Sequence, residues 1–297
     1  MAEGVQTGLV RTPQLVRAAQ VAREAEVRQS PNGVHFATYG ETGVDALDLD
    51  RMLEAVPAAI VSALKANTYY FVPLALRENA DTFEGKKLAE VPEHAMVAGA
   101  YTEAFGDAAI CHRNVELGSG KRGVFISTRL MGDRFALSFE FFINVAHAFV
   151  DEAGVPEVFA ELAWSQAVAD VRGETSMDAW EARNLALGRS PNAGTDSPTT
   201  RRRPMGTSAA RKFGGSLPVV AAAVDEKERS LFVESAFSDA VAIYLLSLAL
   251  DFDYAELKER EYPLLAPTAL AARLKLVSEL FPPNDSYEFA VKYRRRA

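Results

Sequence analysis

Residues 141–154 read FFINVAHAFVDEAG and close a longer run, 135–153, whose sequence FALSFEFFINVAHAFVDEA decides the fold. Leu137, Phe141, Phe142, Val145 and Phe149 recur at helical spacing, which predicts one strongly apolar helix stopped by Gly154. A helix apolar on almost every side must be covered by neighbouring elements. The polar exceptions are few. Asn144, His147 and Asp151 interrupt the apolar run, with His147 and Asp151 one helical turn apart.

Outward from this helix the pattern alternates between strands and helices. Upstream, VAGAY (97–101), AAICHRNVEL (108–117) and GVFISTRL (123–130) read as strands, the last two joined by a turn at Gly118-Ser119-Gly120-Lys121. Earlier still, Thr12-Pro13 predicts a helix start running to about Arg28, followed by a turn at Ser30-Pro31-Asn32-Gly33 and a strand over 34–39. Asp48 opens a predicted second helix carrying Met52, Leu53, Val56, Ile60 and Leu64, and a strand over 69–76 follows. The polar stretch 79–93 reads as irregular. Downstream, helices are predicted over 155–171, 176–187, 225–250 and 267–281.

Between them, residues 188–218 are rich in Gly, Pro, Ser and Thr. They carry Arg189, Arg201, Arg202, Arg203, Arg211 and Lys212 against a single Asp196, and read as a mobile basic loop. The fold class is α+β, a small mixed sheet packed on a mostly helical body. One domain spans 1–297, in four parts: 1–96, 97–188, the loop 189–218, and 219–297.

The 297 residues are 48% hydrophobic and 24% charged, ordinary values for a globular chain, which argues against disorder and coiled coil. The formal net charge of -8 argues against a nucleic-acid or anionic-membrane protein. One cysteine and four scattered histidines exclude a disulfide framework and a cysteine-rich zinc site. The apolar stretch 240–250 is too short to span a bilayer and is bounded by Asp239 and Asp251. No targeting segment is recognised, and a cytoplasmic protein is expected.

The second half of FFINVAHAFVDEAG resembles the latter part of the zincin active helix, HExxH followed by A-x-x-D-E-A-G. That register places His147 on the second zinc histidine, Ile143 on the first and Asn144 on the general-base glutamate. Residues 234–245, ESAFSDAVAIYL, resemble the helix that brings the third ligand in gluzincins, most nearly the lethal factor type of catalytic domain. Matching Phe237-Ser238-Asp239-Ala240 to its FAEA puts Ser235 at the ligand position, with Glu234 beside it. The strands from 97 onward resemble the small zincin sheet whose edge strand holds substrate, and the helix starting at Ala266-Pro267-Thr268 resembles the family's closing segment. No complete metal motif survives: isoleucine cannot ligate zinc, and an amide cannot take a proton near neutral pH. No metal and no cofactor are expected.

What the resemblance implies is a zinc-free cleft put to another use. The first reading is acid/base chemistry on a small or carrier-bound biosynthetic intermediate: elimination, cyclisation or isomerisation. His147 would be the acid or base, positioned by Glu234 or Asp239 and assisted by Asn144 and Ser235. Arg113 or Arg129 would hold an anionic group. The cleft face of the helix would comprise 143, 144 and 147, with 140 and 151 a turn away. The second reading is a pseudopeptidase, a peptide-binding or partner subunit of a heteromeric complex using the edge strand. An atypical metalloprotease ranks third. Against all three stands the plain reading of His147 as a hydrogen-bonded core histidine. Cys111 and His112 suggest a nucleophile–base pair only weakly, since adjacent strand residues point to opposite faces.

Overall fold

The computed structural model describes residues 15–77, 95–189, 224–257 and 262–291. Two small sheets share the β-structure, and the architecture is mixed α+β. The larger sheet has the order β2 (Arg28–Gln29), β3 (His35–Thr38), β4 (Asn67–Val72), β9 (Lys121–Ser127), β8 (His112–Gly118). β3, β4 and β9 are mutually parallel, while β2 and β8 run antiparallel at the two edges. Parallel pairing needs crossovers, and the first is supplied by α2 (Ala46–Glu54) and α3 (Ala58–Val61). The smaller sheet, all antiparallel, has the order β1 (Leu15–Arg17), β6 (Met96–Ala98), β5 (Leu74–Leu76), β7 (Ala109–Ile110).

The central strands are apolar at successive positions because both faces of the larger sheet are covered. Tyr69, Phe71, Val124 and Ile126 face the helical layer. Tyr70, Val72, Val115 and Phe125 face the smaller sheet and α1 (Ala18–Glu24), where Val16, Val21 and Val97 meet them. On the helical side lie α4 (Arg134–Ala153), α5 (Glu157–Val168), α6 (Met177–Ala186), α7 (Glu226–Ala249) and α8 (Pro267–Leu280). α4 begins where the Asp133 carboxylate accepts from the Ala136 amide and ends at Gly154, whose φ of 70° an L side chain rarely adopts.

α7 passes the length and hydropathy test for a membrane span, yet 67% of its apolar window is buried inside the fold. It is a core helix, packed against α4, α5, α6 and α8.

The α4, α6, α7 and α8 helices lie where the sequence predicts them, within a residue or two at each end. Elsewhere the structure corrects the sequence expectations. Leu15–Arg17 is a strand rather than the first turns of a helix, because it pairs with Met96–Ala98, a partner too distant in sequence to foresee. Thr12 and Pro13 lie outside the described residues. The second helix is capped by Asp45, not Asp48, and Pro57 separates α2 from α3, so Ile60 and Leu64 leave the predicted periodicity. The single strand over 69–76 is two strands in different sheets, divided at Pro73. AAICHRNVEL divides likewise at Cys111. The line drawn between 96 and 97 falls within β6, and strands from both sides of it share both sheets. The segments 79–93 and 190–218 lie outside the described residues.

Candidate active site

The edge strand β8 and the helices α4 and α7 bring a set of polar side chains together. His112 pairs with Ile126 across β8 and β9, so it stands on the helical face of the sheet. Its Nδ1 lies 2.5 Å from Oε1 of Glu140 on α4. One turn further along α4, the amide of buried Asn144 donates to that carboxylate at 3.2 Å and to the Glu140 carbonyl at 2.9 Å. Glu140 is thus held on two sides, its side chain 17% exposed, while His112 is 37% exposed. A carboxylate on Nδ1 orients the imidazole and leaves Nε2 as the outward nitrogen.

His147 comes next on the same side of α4. It is an exposed residue whose Nδ1 lies 3.1 Å from the hydroxyl of buried Ser238 on α7. Burial holds its imidazole below the ordinary range, with His112 adding to the effect while Asp151, Asp178 and Glu140 oppose it. The plain reading of His147 as a core histidine does not describe this placement.

The other sequence-predicted residues lie elsewhere. Glu234 is exposed and accepts from Ser230 at 3.0 Å. Ser235 is half-buried on α7, and the α7 residue that meets His147 is Ser238, one turn away. Arg113, half-buried on β8, shares a strand face with Val115 and Leu117, which pack toward the smaller sheet. The sheet therefore separates Arg113 from His147. Arg129 donates from Nε to the Glu41 carbonyl at 3.1 Å, in a pocket beyond the strand ends. Cys111 is exposed, and its thiol is pushed up by burial and by Glu140, the opposite of what an activated nucleophile needs. His112 and Glu140 are the residues that the sequence reading undervalued. The available signal was the spacing Glu140, Asn144, His147, all on one side of a helix.

Asp239, half-buried on α7, belongs to a different network. Its carboxylate accepts from Thr175 Oγ1 at 2.7 Å and is pushed up to about 6, by burial first, with Glu174 adding and Ser176, Thr175 and Arg273 opposing. The unfolded chain releases this proton near pH 4, whereas the folded chain retains it to about 6. Stability contributed by this group is therefore lost as pH rises from about 4 to about 6, by about 3 kcal/mol. Denaturant unfolding of Asp239→Asn against wild type at pH 4.5 and pH 7 should show the variant gaining relative stability at the higher pH. An equal difference at both pH values would contradict the assignment.

Among the described residues no three His, Cys, Asp or Glu side chains converge on a point that could hold a metal. At the positions matched to a zinc site stand Ile143, Asn144, already bonded to Glu140, and Ser235. This donor set does not fit zinc. On this α+β fold, β8, α4 and α7 hold the His112–Glu140–Asn144 cluster and the His147–Ser238 pair on the helical side of the sheet. Comparison with protein-family models, curated proteins and solved structures returned no match.

Proposed function

We propose that the chain is a degenerate, zincin-like protein whose old cleft is reused for metal-independent acid/base chemistry on a small or carrier-bound biosynthetic intermediate in the cytoplasm. The observation that carries this reading is the Glu140 carboxylate, held by Asn144 and bonded to His112 within reach of the field of His147. Two imidazoles with different surroundings suit two proton-transfer roles. His112, oriented by Glu140, offers Nε2 as the base. His147, steadied by Ser238, serves as the second proton-transfer group. Elimination, intramolecular cyclisation and isomerisation can each use such a pair. Positioning falls to Glu140 and Ser238, in place of Glu234 and Asp239.

The zincin-like part of this reading rests on the motif resemblance of residues 141–154 and 234–245, which the fold places on the adjoining helices α4 and α7. A second reading, a peptide-binding partner subunit, is favoured by β8 itself. It is the last strand of its sheet, with exposed Asn114, Glu116 and Gly118.

One experiment separates the two. A metabolite extract from cells carrying the gene is incubated with purified protein in D₂O and followed by mass spectrometry. The catalytic reading expects a metabolite that is consumed or takes up deuterium, unaffected by EDTA, and not with His112→Gln or His147→Gln. No such metabolite, or equal exchange by both variants, would contradict it.

A further inference from the structure

Beyond α8, residues 282–291 form neither helix nor strand, yet the segment is fastened at several separate points. Pro282 and Pro283 follow the last turn at Phe281 and cannot continue the helix. The segment then reaches the junction of α2 and α3, 226 residues away in sequence at the bond from Ala58 to Asn284.

Asn284 makes the main attachment. Its Nδ2 donates to the carbonyls of Glu54 at 2.8 Å and Val56 at 2.9 Å, and its Oδ1 accepts from the Ala58 amide at 3.1 Å. The end of α2 and the start of α3 leave such groups without intrahelical partners, so one side chain caps two helix ends. The Tyr287 hydroxyl adds a bond to the Arg51 carbonyl at 2.8 Å. On the other side, Phe289 meets Tyr244 of α7 edge to face, ring centroids 5.2 Å apart, and Tyr244 donates to the Phe281 carbonyl at 2.8 Å.

Each fastening is weak by itself. Asn284, Tyr287 and Phe289 are only half-buried, and Asp285, Ser286, Glu288 and Ala290 between them are exposed. Water replaces each bond once the segment lifts, so little of its strength holds the segment down. The α2 end also has a second holder, because Asn32 donates to the Leu53 carbonyl at 2.9 Å and to that of Val56 at 2.6 Å. Leu49, Met52, Leu53 and Ile60 anchor the same two helices in the core. The junction therefore survives the loss of Asn284.

We propose that residues 282–291 are a clasp that opens and closes as one unit on the α2–α3 junction while the core stays folded. Segments with few buried apolar contacts and solvent-accessible hydrogen bonds open locally, at a fraction of the cost of global unfolding. Opening uncovers the Tyr244 ring, frees the Glu54 carbonyl and the Ala58 amide, and leaves α2 and α3 held by Asn32 and the core.

Native-state hydrogen exchange of the full chain across low urea concentrations tests this at two amides. One is Ala58, and the other is Tyr287, which donates to the Asn284 carbonyl at 2.8 Å. Both should exchange through one common opening that hardly responds to urea, whereas the Ala240 amide in α7 should exchange far more slowly and respond steeply. Phe289→Ala alters the partner of neither amide, yet should speed both by the same factor, about tenfold. Tyr287→Phe, which deletes only a hydroxyl, should speed both several-fold and carries the test if Phe289→Ala fails to fold. An unprotected Ala58 amide, exchange of both amides only together with Ala240, or folded variants that do not speed the two alike would overturn the proposal.

Discussion

Replacing Glu174 with alanine is expected to remove about 3–5 kcal/mol of stability. Glu174 is 0% exposed and lies between two arginines that are themselves 1% and 0% exposed, Arg183 and Arg273. Arg273 donates to Glu174 Oε2 at 2.9 Å and to Gln166 at 2.8 Å, and Arg183 donates to Glu174 Oε1 at 3.1 Å and to the Gly173 carbonyl at 2.9 Å. The alanine variant strands two buried guanidinium groups without their shared carboxylate. Desolvation, already paid in the folded state, is then uncompensated. The measurement is urea unfolding, with the midpoint shifted and the slope unchanged. Glu116→Ala, which breaks only the 3.5 Å exposed pair with Arg122, should cost less than about 1 kcal/mol. Similar losses for the two variants would contradict the network's role.

The second large effect is expected at Glu140. Glu140→Gln preserves size and one acceptor oxygen but removes the charge that faces His112 Nδ1. The glutamine amide can equally present a donor there, which permits the wrong tautomer and turns the free nitrogen away from substrate. With the metabolite found in D₂O as substrate, turnover should fall by roughly 10²–10⁴-fold while the melting temperature moves little. Because Glu140 acts through His112, the pH–rate profile should change shape as well as height. A variant with an unchanged profile and a loss of turnover matching its loss of folded protein would make Glu140 a structural residue.

How much of this was legible in the sequence depends on range. The helices that carry the site were readable because their signals are local: the apolar run over 135–153, Gly154 as a stop, and the helical pattern resuming at 225. His147 was singled out on its own helix for the same reason. Its partner was not, because Ser238 reaches it from 91 positions away and only the packing of α7 on α4 decides which turn faces the ring. His112 and Glu140 are 28 residues apart on a strand and a helix, and strand alternation settles a face without saying what lies opposite. Arg273 and Glu174 are 99 apart. Sequence reading grouped Asp239 and Arg129 with His147 because motif neighbours and cations look alike in one dimension. The fold turns one toward Thr175 and the other to the strand ends.

The central claim is that two imidazoles at this site work without a metal, one of them on a carboxylate. Long-range ¹H–¹⁵N spectra of the histidine side chains, recorded across pH with and without one equivalent of Zn²⁺, test it most directly. The account predicts neutral His112 protonated on Nδ1, a pattern lost in Glu140→Gln, His147 titrating below the ordinary imidazole range, and no response of either ring to stoichiometric zinc. Saturable shifts of His112 or His147 at one zinc per chain, or a His112 tautomer indifferent to Glu140→Gln, would contradict it.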